Sequence, residues 1–182
     1  MCKKIVLSAV AALLMAAANL NLCCSVLING REVPGSYSPT RADILSGVAY
    51  EAACELLPGM PEMPLVQRRY SLSLRAPVDD GAALTDAILR QIDGLGMYYA
   101  VFVNGDEMGL VEDDDRMKAM LRSNLYYQIP NSAIYASYHG EIDIRAVYAP
   151  DGMTTQYEDM VLLVRGRAPI RCVDAEGNTF VV

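Results

Sequence analysis

The sequence predicts an α+β fold built from two repeated units, each ordered as a β-hairpin, a helix, a strand and a second helix. The first reason is a near-copied segment, because residues 26–33 (VLINGREV) return as residues 101–108 (VFVNGDEM). Asn-Gly between β-branched and aromatic residues favours a tight hairpin. The second reason is that the patterns after each copy follow the same order. The third is a further hairpin pattern over residues 170–182, which predicts a C-terminal β-hairpin.

In the first unit, an apolar pattern of helical period follows the hairpin and stops before residues 58–59 (Pro-Gly). Its positions are Ile44, Val48, Ala52 and Leu56. Residues 70–77 then alternate as expected for a half-buried strand and close on Ala-Pro. A polar turn leads to a second helix over residues 83–92, with Asp79 or Thr85 as its N-cap.

In the second unit, the acidic run at residues 112–115 predicts a capped helix start near Arg116. The apolar positions of this helix are Met117, Met120, Leu121 and Leu125. Residues 142–150 alternate as a strand and again close on Ala-Pro, and residues 157–164 predict the second helix. The acidic run is too compact for a calcium loop, which spreads its oxygen ligands over about a dozen residues.

The first residues are typical of a secretory signal peptide. Lys3 and Lys4 supply a basic start, residues 5–18 are apolar, and residues 16–18 (Ala-Ala-Ala) suit a signal peptidase. The alternative is an uncleaved N-terminal anchor, although the apolar run is short for a span of about 20 residues. We therefore expect an extracytoplasmic protein, secreted or associated with the cell envelope, that meets a membrane only through an uncleaved N-terminal segment.

The predicted organisation has four segments. Residues 1–22 form the signal peptide or N-terminal anchor, residues 23–97 form repeat unit one, residues 98–169 form repeat unit two, and residues 170–182 form the terminal hairpin. The terminal hairpin either completes the sheet of unit two or opens a third unit of a longer protein.

The charge balance argues against nucleic acid as a partner. The formal net charge is −7 and the sequence pI is about 4.7. Phosphate binding requires a basic face, and none is visible in the sequence. Acidic membrane surfaces are disfavoured for the same reason.

Cys54 and Cys172 are the two cysteines inside the predicted units, and two interpretations of them stay open. In an exported protein they can form a disulfide that ties the first helix to the terminal strand. Alternatively, they are unpaired and buried as small apolar side chains, since no spacing resembles a disulfide framework. Without a Cys-x-x-Cys motif, the sequence predicts no metal site and no cofactor.

The sequence holds no catalytic motif. His139 is its one histidine, which excludes His-Glu-x-x-His and His-x-His zinc sites. No Gly-x-Ser-x-Gly elbow is present to accompany His139, and the His139-Gly140 pair is typical of an exposed loop. We therefore expect no catalytic residues, with a small secreted hydrolase or inhibitor using His139 as the alternative.

Tyrosine is enriched, with 11 Tyr against 2 Phe and no Trp, and most tyrosines lie in the second unit. Tyrosine joins an apolar ring to a hydroxyl at low entropic cost, so an exposed cluster suits recognition of polymers or protein partners. The alternative is that these rings are half-buried at sheet edges. The predicted binding residues are Tyr98, Tyr126, Tyr127, Tyr135 and Tyr138.

Residues 104–111 (NGDEMGLV) place a second glycine before the acidic helix start. This segment resembles the V-x-V-(D/N)-G-x-x-x-G-x-V unit in the N-terminal regions of secreted Gram-positive cell-wall peptidases of the M23 type, upstream of their LysM or G5 modules. The resemblance implies a cell-envelope context without peptidase activity, because no catalytic zinc domain lies within these residues. Residues 29–33 (NGREV) are more distantly similar to the copper-amine-oxidase-like N-terminal modules of cell-surface proteins, which are non-enzymatic there.

The leader, the repeated order of elements and the missing catalytic motifs together predict a non-catalytic extracytoplasmic module. We expect it to associate with the bacterial cell envelope by binding a cell-wall polymer or a protein partner.

Overall fold

The computed structural model describes residues 20–182. Residues 1–19, which hold most of the predicted signal peptide or anchor (residues 1–22) and its cleavage site, lie outside the described residues. Asn21 and Leu22, the end of that predicted segment, belong to the first strand. The chain forms two compact units that divide between Leu95 and Gly96. Across the described residues, no helix combines the length and the apolar character needed to cross a bilayer.

Unit one contains one three-stranded sheet and two helices. Its elements are β1 (Asn21–Ile28), β2 (Arg31–Glu32), α1 (Pro39–Leu56), β3 (Val66–Ser73) and α2 (Gly81–Leu89). The strand order is β2-β1-β3, and β1 pairs antiparallel with both neighbours. The first strand of the hairpin is therefore the central strand of the sheet.

Unit two has the same elements in the same order, with one additional strand inserted after its first helix. These are β4 (Leu95–Val103), β5 (Asp106–Val111), α3 (Asp114–Gln128), β7 (Ile142–Pro150) and α4 (Tyr157–Arg167). The strand order is β5-β4-β7, so the first strand of this hairpin is also central. The predicted α+β fold, with hairpin, helix, strand and helix in both units, is confirmed.

A second sheet in unit two holds the chain end. It is formed by β6 (Ala133–Tyr138), β8 (Ile170–Asp174) and β9 (Thr179–Val181), in the order β6-β8-β9. The β8–β9 pair is the predicted C-terminal hairpin, which is confirmed. The β6 strand had not been predicted, and it pairs antiparallel with β8.

Both Asn-Gly pairs form tight turns. The φ angles are 49° and 80° at Asn29 and Gly30, and 54° and 89° at Asn104 and Gly105. Positive φ at both central residues is the requirement of a type I′ turn, whose twist matches that of the flanking strands. Among the described residues, Asn29 and Asn104 are the two non-glycine residues with positive φ.

The buried face of α1 differs from the apolar stripe in the sequence. Ile44 and Val48 are about half exposed to solvent. The residues that α1 buries are Ala42, Leu45, Ala49 and Ala53. Alanines at this spacing let the helix lie close to its neighbours, so the small side chains pack and the larger branched ones remain outside.

Several predicted boundaries in unit one are wrong. The strand predicted over residues 70–77 is β3, which begins at Val66 and ends at Ser73. The N-cap of α2 is neither Asp79 nor Thr85, because Asp80 accepts a hydrogen bond from the Ala83 N–H at 3.0 Å. Asp79 instead forms an ion pair with Arg41 at 2.6 Å. Asp79 and Asp80 have the same side chain and could both cap a helix. Asp80 is the cap because it is the residue directly before the first residue of α2.

The main core of unit two lies between β4, α3 and α4. Buried side chains from all three elements contact one another there. They include Val101, Val103, Met117, Leu121, Met160 and Val164. This packing fixes the orientation of α3 and therefore decides which of its side chains face solvent.

Candidate binding site

The start of α3 is capped as the acidic run predicts. Asp113 accepts a hydrogen bond from the Arg116 N–H at 2.8 Å, and Asp114 and Asp115 lie in the first turn. Carboxylates at this end favour the positive pole of the helix dipole. Because Met117 and Leu121 point into the core, the opposite side of α3 faces solvent, including its last turn.

Tyr126 and Tyr127 lie in that last turn as an exposed aromatic pair. Their side chains are 75% and 78% exposed. The ring centroids are 5.6 Å apart and the ring planes meet at 78°, an edge-to-face arrangement. This geometry is favourable for two aromatic rings.

Tyr138 lies on β6 and packs against α3. Its hydroxyl is 3.0 Å from the Leu121 carbonyl oxygen and 3.1 Å from Asn124 Oδ1, so its proton is donated to α3. Burial raises the pKa of the Tyr138 hydroxyl above its ordinary value, while the nearby Arg165 opposes that rise. Tyr138 is therefore neutral across the physiological range and fixes β6 against α3.

A groove of about 450 Å³ runs along α3 beside Tyr138 and β7. Its apolar walls are formed by Leu121, Leu125, Ile142 and Ile144. Lys118 and Arg122 bring positive charge to the same groove, and Asp143 brings one carboxylate. Lys118 pairs with Asp114, but Arg122 forms no ion pair within residues 20–182. A guanidinium beside apolar walls can bind a carboxylate or phosphate group attached to a less polar body.

The other two predicted tyrosines lie elsewhere in unit two. Tyr98 is on β4, where its ring covers Gly96 and its hydroxyl donates to Asp151 at 2.8 Å. That hydrogen bond raises the pKa of Tyr98. Tyr135 is exposed on β6, and strand alternation places it on the opposite face from Tyr138. The structure thus gathers Tyr126, Tyr127 and Tyr138 around α3, and it leaves Tyr98 and Tyr135 outside that group.

Sequence reasoning missed the charged part of the groove. Lys118 and Arg122 are separated by four residues, so they share one side of α3. The sequence alone therefore shows that these two positive charges lie on one side of the predicted helix. The apolar side chains Ile142 and Ile144 were assigned to a strand, but their position beside α3 depends on tertiary packing.

His139 is exposed in the bend between β6 and β7. Its backbone N–H donates to the Pro169 carbonyl at 2.8 Å. Within residues 20–182 its side chain forms no hydrogen bond or ion pair. The nucleophile and orienting group that a histidine base requires are therefore not assembled at this position.

The cysteines of the described segment are free thiols. Cys54 belongs to unit one and Cys172 to unit two, and a disulfide between them stays a prediction. Cys172 is fully buried, and Cys54 is half-buried in α1. In residues 20–182, no cluster of three or more His, Cys, Asp or Glu side chains is placed to hold a metal ion.

Comparison with known proteins gives no relative: no family model, curated protein or solved structure matches this chain.

Proposed function

We propose that this chain is a non-catalytic, extracytoplasmic binding module of the bacterial cell envelope, and that it binds an anionic cell-wall polymer at the α3 surface of unit two. We define the α3 surface as Tyr126, Tyr127, Arg122 and the groove beside Tyr138. The leader pattern supports the location, and the chemistry of the surface supports the ligand class.

The exposed pair Tyr126–Tyr127 is the observation that carries the proposal. Two large rings exposed by three quarters of their area do not contribute to the core of unit two. Aromatic faces bind the apolar C–H faces of sugar rings, and tyrosine hydroxyls add hydrogen bonds. Tyr126 lies four residues after Arg122 and therefore shares a side of α3 with the groove, whereas Tyr127 lines a separate groove with Met120, Asn124 and Leu162.

Arg122 supports an anionic ligand. Cell-wall polymers carry carboxylates on their peptides and lactyl groups, and many carry phosphodiesters. The carboxylate of the groove, Asp143, pairs with Arg145, and Arg122 forms no ion pair within the described residues, so its guanidinium is available for such a group. The whole chain has a net charge of −7, so it repels an anionic polymer at long range. Binding through Arg122 therefore depends on the short-range attraction between its guanidinium and one anionic group of the polymer.

A pelleting experiment tests the proposal. The full chain is incubated with purified cell walls, and the fraction that sediments is measured. The double variant Tyr126→Ala/Tyr127→Ala should bind about tenfold more weakly, as expected when central aromatic contacts are removed. Its thermal unfolding should be unchanged because both rings are exposed.

Tyr70→Ala is the matched control. Tyr70 is an exposed tyrosine on β3 of unit one, so its removal should leave sedimentation unchanged. Equal retention of the double variant and the unaltered chain would overturn the role of the tyrosine pair. Failure of the unaltered chain to sediment with any wall preparation would overturn the polymer as ligand, and release of soluble wall fragments would overturn the non-catalytic assignment.

A further inference from the structure

Asn29 and Asn104 are the two asparagines of the sequence that precede a glycine, and both lie at exposed hairpin turns. Asparagine is thermolabile because the backbone nitrogen of the next residue can attack its side-chain amide. Glycine favours this attack, since it carries no side chain that hinders the approach. Among the described residues, no heavy atom beyond the chain neighbours lies within 4 Å of the position that a Cβ on Gly30 or Gly105 would take. Both turns are therefore open to water and to this reaction.

The reaction at Asn29 consists of two balanced steps. The Gly30 nitrogen loses its proton and bonds to Asn29 Cγ, and the side-chain nitrogen leaves with one proton as ammonia. Water then opens the five-membered succinimide ring at one of its two carbonyls. Opening at Cγ gives aspartate, whereas opening at the backbone carbonyl gives isoaspartate, in which the main chain runs through Cγ. Either product adds one negative charge to the chain.

The closed turns oppose the first step. Both asparagines have the left-handed φ of a type I′ turn. Asn29 Oδ1 accepts a hydrogen bond from the Leu65 N–H at 3.1 Å, and the side-chain amide that would leave donates to Gln91 Oε1 at 3.2 Å. Ring closure requires the Asn29 amide carbon to rotate toward the Gly30 nitrogen. The turn and these two hydrogen bonds must therefore open first.

The hairpin of unit one can open over a short segment. Its second strand, β2, consists of Arg31 and Glu32, which pair with β1 at two positions and are both exposed. The Val33 N–H donates to the Val26 carbonyl at 2.8 Å, so the chain is held again directly after β2. Residues 29–32 can therefore separate from the sheet without removing a buried side chain from the core.

The hairpin of unit two is held over a longer distance. Its second strand, β5, pairs with β4 at five positions and buries Leu110 and Val111. The Asn104 side chain also packs on Gly140, because its Oδ1 and Nδ2 lie 2.9 and 3.1 Å from the position that a Cβ on Gly140 would take. Segments with few buried contacts open more often than segments that contribute to the core. We therefore expect the turn at Asn29 to open more often than the turn at Asn104.

We propose that Asn29 is a site of spontaneous deamidation, which proceeds when residues 29–32 open, and that the longer hairpin protects Asn104. The two products at position 29 differ in their effect on the fold. Aspartate keeps an oxygen that can accept the Leu65 N–H. Isoaspartate adds one carbon to the main chain, so the two-residue turn cannot re-form in the same register. Unit one therefore accumulates an altered first hairpin with age, whereas the first hairpin of unit two is retained.

Peptide mass spectrometry tests the proposal. The full chain is incubated at mildly alkaline pH, and the peptides that contain Asn29 and Asn104 are followed with time. The exchange of ammonia for water changes the peptide mass, and fragmentation separates isoaspartate from aspartate. In the folded chain, Asn29 should convert about tenfold faster than Asn104. In the urea-unfolded chain the two rates should be similar, because both asparagines precede glycine.

Gln91→Ala tests the contact that holds the amide of Asn29. The variant loses one hydrogen bond, so conversion of Asn29 should be about threefold faster while that of Asn104 is unchanged. Gln67→Ala, at an exposed position of β3, is the matched control and should change neither rate.

Equal conversion of Asn29 and Asn104 in the folded chain would overturn the proposed difference between the hairpins. An intact Asn29 in the folded chain, after the unfolded chain has reacted completely, would overturn the site. A Gln91→Ala variant that reacts at the unaltered rate would overturn the role of the hydrogen bond. The measurement uses no polymer, so its outcome is independent of wall binding.

Discussion

The Asn104 side chain joins the first hairpin of unit two to the strand that follows α3 and β6. Its Oδ1 accepts a hydrogen bond from the Glu141 N–H at 3.0 Å, and the backbone N–H of Asn104 donates to the Glu141 carbonyl at 2.8 Å. Asn29 makes the same two hydrogen bonds with Leu65 in unit one, at 3.1 and 3.0 Å. In both units, one asparagine therefore adopts the left-handed turn and also binds the residue just before the third strand of its sheet.

Substitution of Asn104 should separate these two roles. Asn104→Gly keeps the left-handed turn and loses the side-chain acceptor, so the free energy of unfolding should fall by about 1 kcal/mol. Asn104→Ala loses the acceptor and strains the backbone, which should cost roughly 2 kcal/mol in total. Urea denaturation measures both values. Equal losses for glycine and alanine would show that the turn conformation contributes nothing.

Tyr37 should make unit one sensitive to alkali. It is fully buried, and its hydroxyl donates to the Pro34 carbonyl at 2.8 Å, with the Asp80 carbonyl at 3.0 Å. Burial raises the pKa of this hydroxyl above its ordinary value of 10.0, and the nearby Asp80 and Asp79 add to the rise. The unfolded chain therefore loses its proton first as the pH increases, and stability present below pH 10 is lost above it.

Tyr37→Phe measures that contribution. The variant should unfold about 1 kcal/mol more easily at pH 7, because the carbonyls of Pro34 and Asp80 lose the hydroxyl donor. Its stability should then fall less steeply than that of the unaltered chain between about pH 9 and pH 11. Denaturant curves at several pH values give both quantities, and parallel pH profiles would contradict the role of Tyr37.

Tyr138→Phe should loosen the contact between β6 and α3 while preserving the ring. The lost hydrogen bond to the Leu121 carbonyl should lower the stability of unit two by about 1 kcal/mol. Hydrogen exchange should increase in β6 and in the last turns of α3. Tyr135→Phe is the matched control on the same strand, and it should have little effect because Tyr135 is exposed.

Arg122→Gln should weaken polymer binding and reduce its dependence on salt. The substitution removes the charged guanidinium from the groove and leaves an uncharged polar side chain on the same aliphatic stem. We expect a loss of about tenfold at low ionic strength and a smaller loss at high ionic strength, measured by the pelleting assay. Arg171→Gln, at an exposed position of β8, is the matched control. An equal loss in both variants would indicate a general charge effect.

Local signals explain why the hairpins could be predicted from sequence. Asn29-Gly30 and Asn104-Gly105 need positive φ, and few residues tolerate it, so the dipeptide itself specifies the turn. The buried face of α1 could not be predicted in this way. Ile44 and Val48 have the spacing of a buried apolar stripe, but the alanine face of the helix packs into the core instead. That choice depends on the space between packed elements, which no local pattern encodes.

The β6 strand and the groove show the same limit. Ala133 to Tyr138 become a strand because β8, more than thirty residues later, provides the hydrogen-bonding partner. The grouping of Tyr126, Tyr127 and Tyr138 around α3 likewise depends on that pairing. Composition alone indicated tyrosine as a binding residue, and the role of these tyrosines in binding stays a prediction.

The three sheets share one arrangement, in which the first strand of a hairpin is central, and this has a consequence for the order of folding. Hairpins close within microseconds because their contacts are local. In the β2-β1-β3 and β5-β4-β7 sheets, the third strand follows the hairpin along the chain. In the remaining sheet, β6 precedes the β8–β9 hairpin along the chain. During synthesis from the N-terminus, β6 therefore has no pairing partner until β8 has been made. Ile134 and Tyr135 are then on an open strand edge, where a chaperone or a second nascent chain can pair with them first.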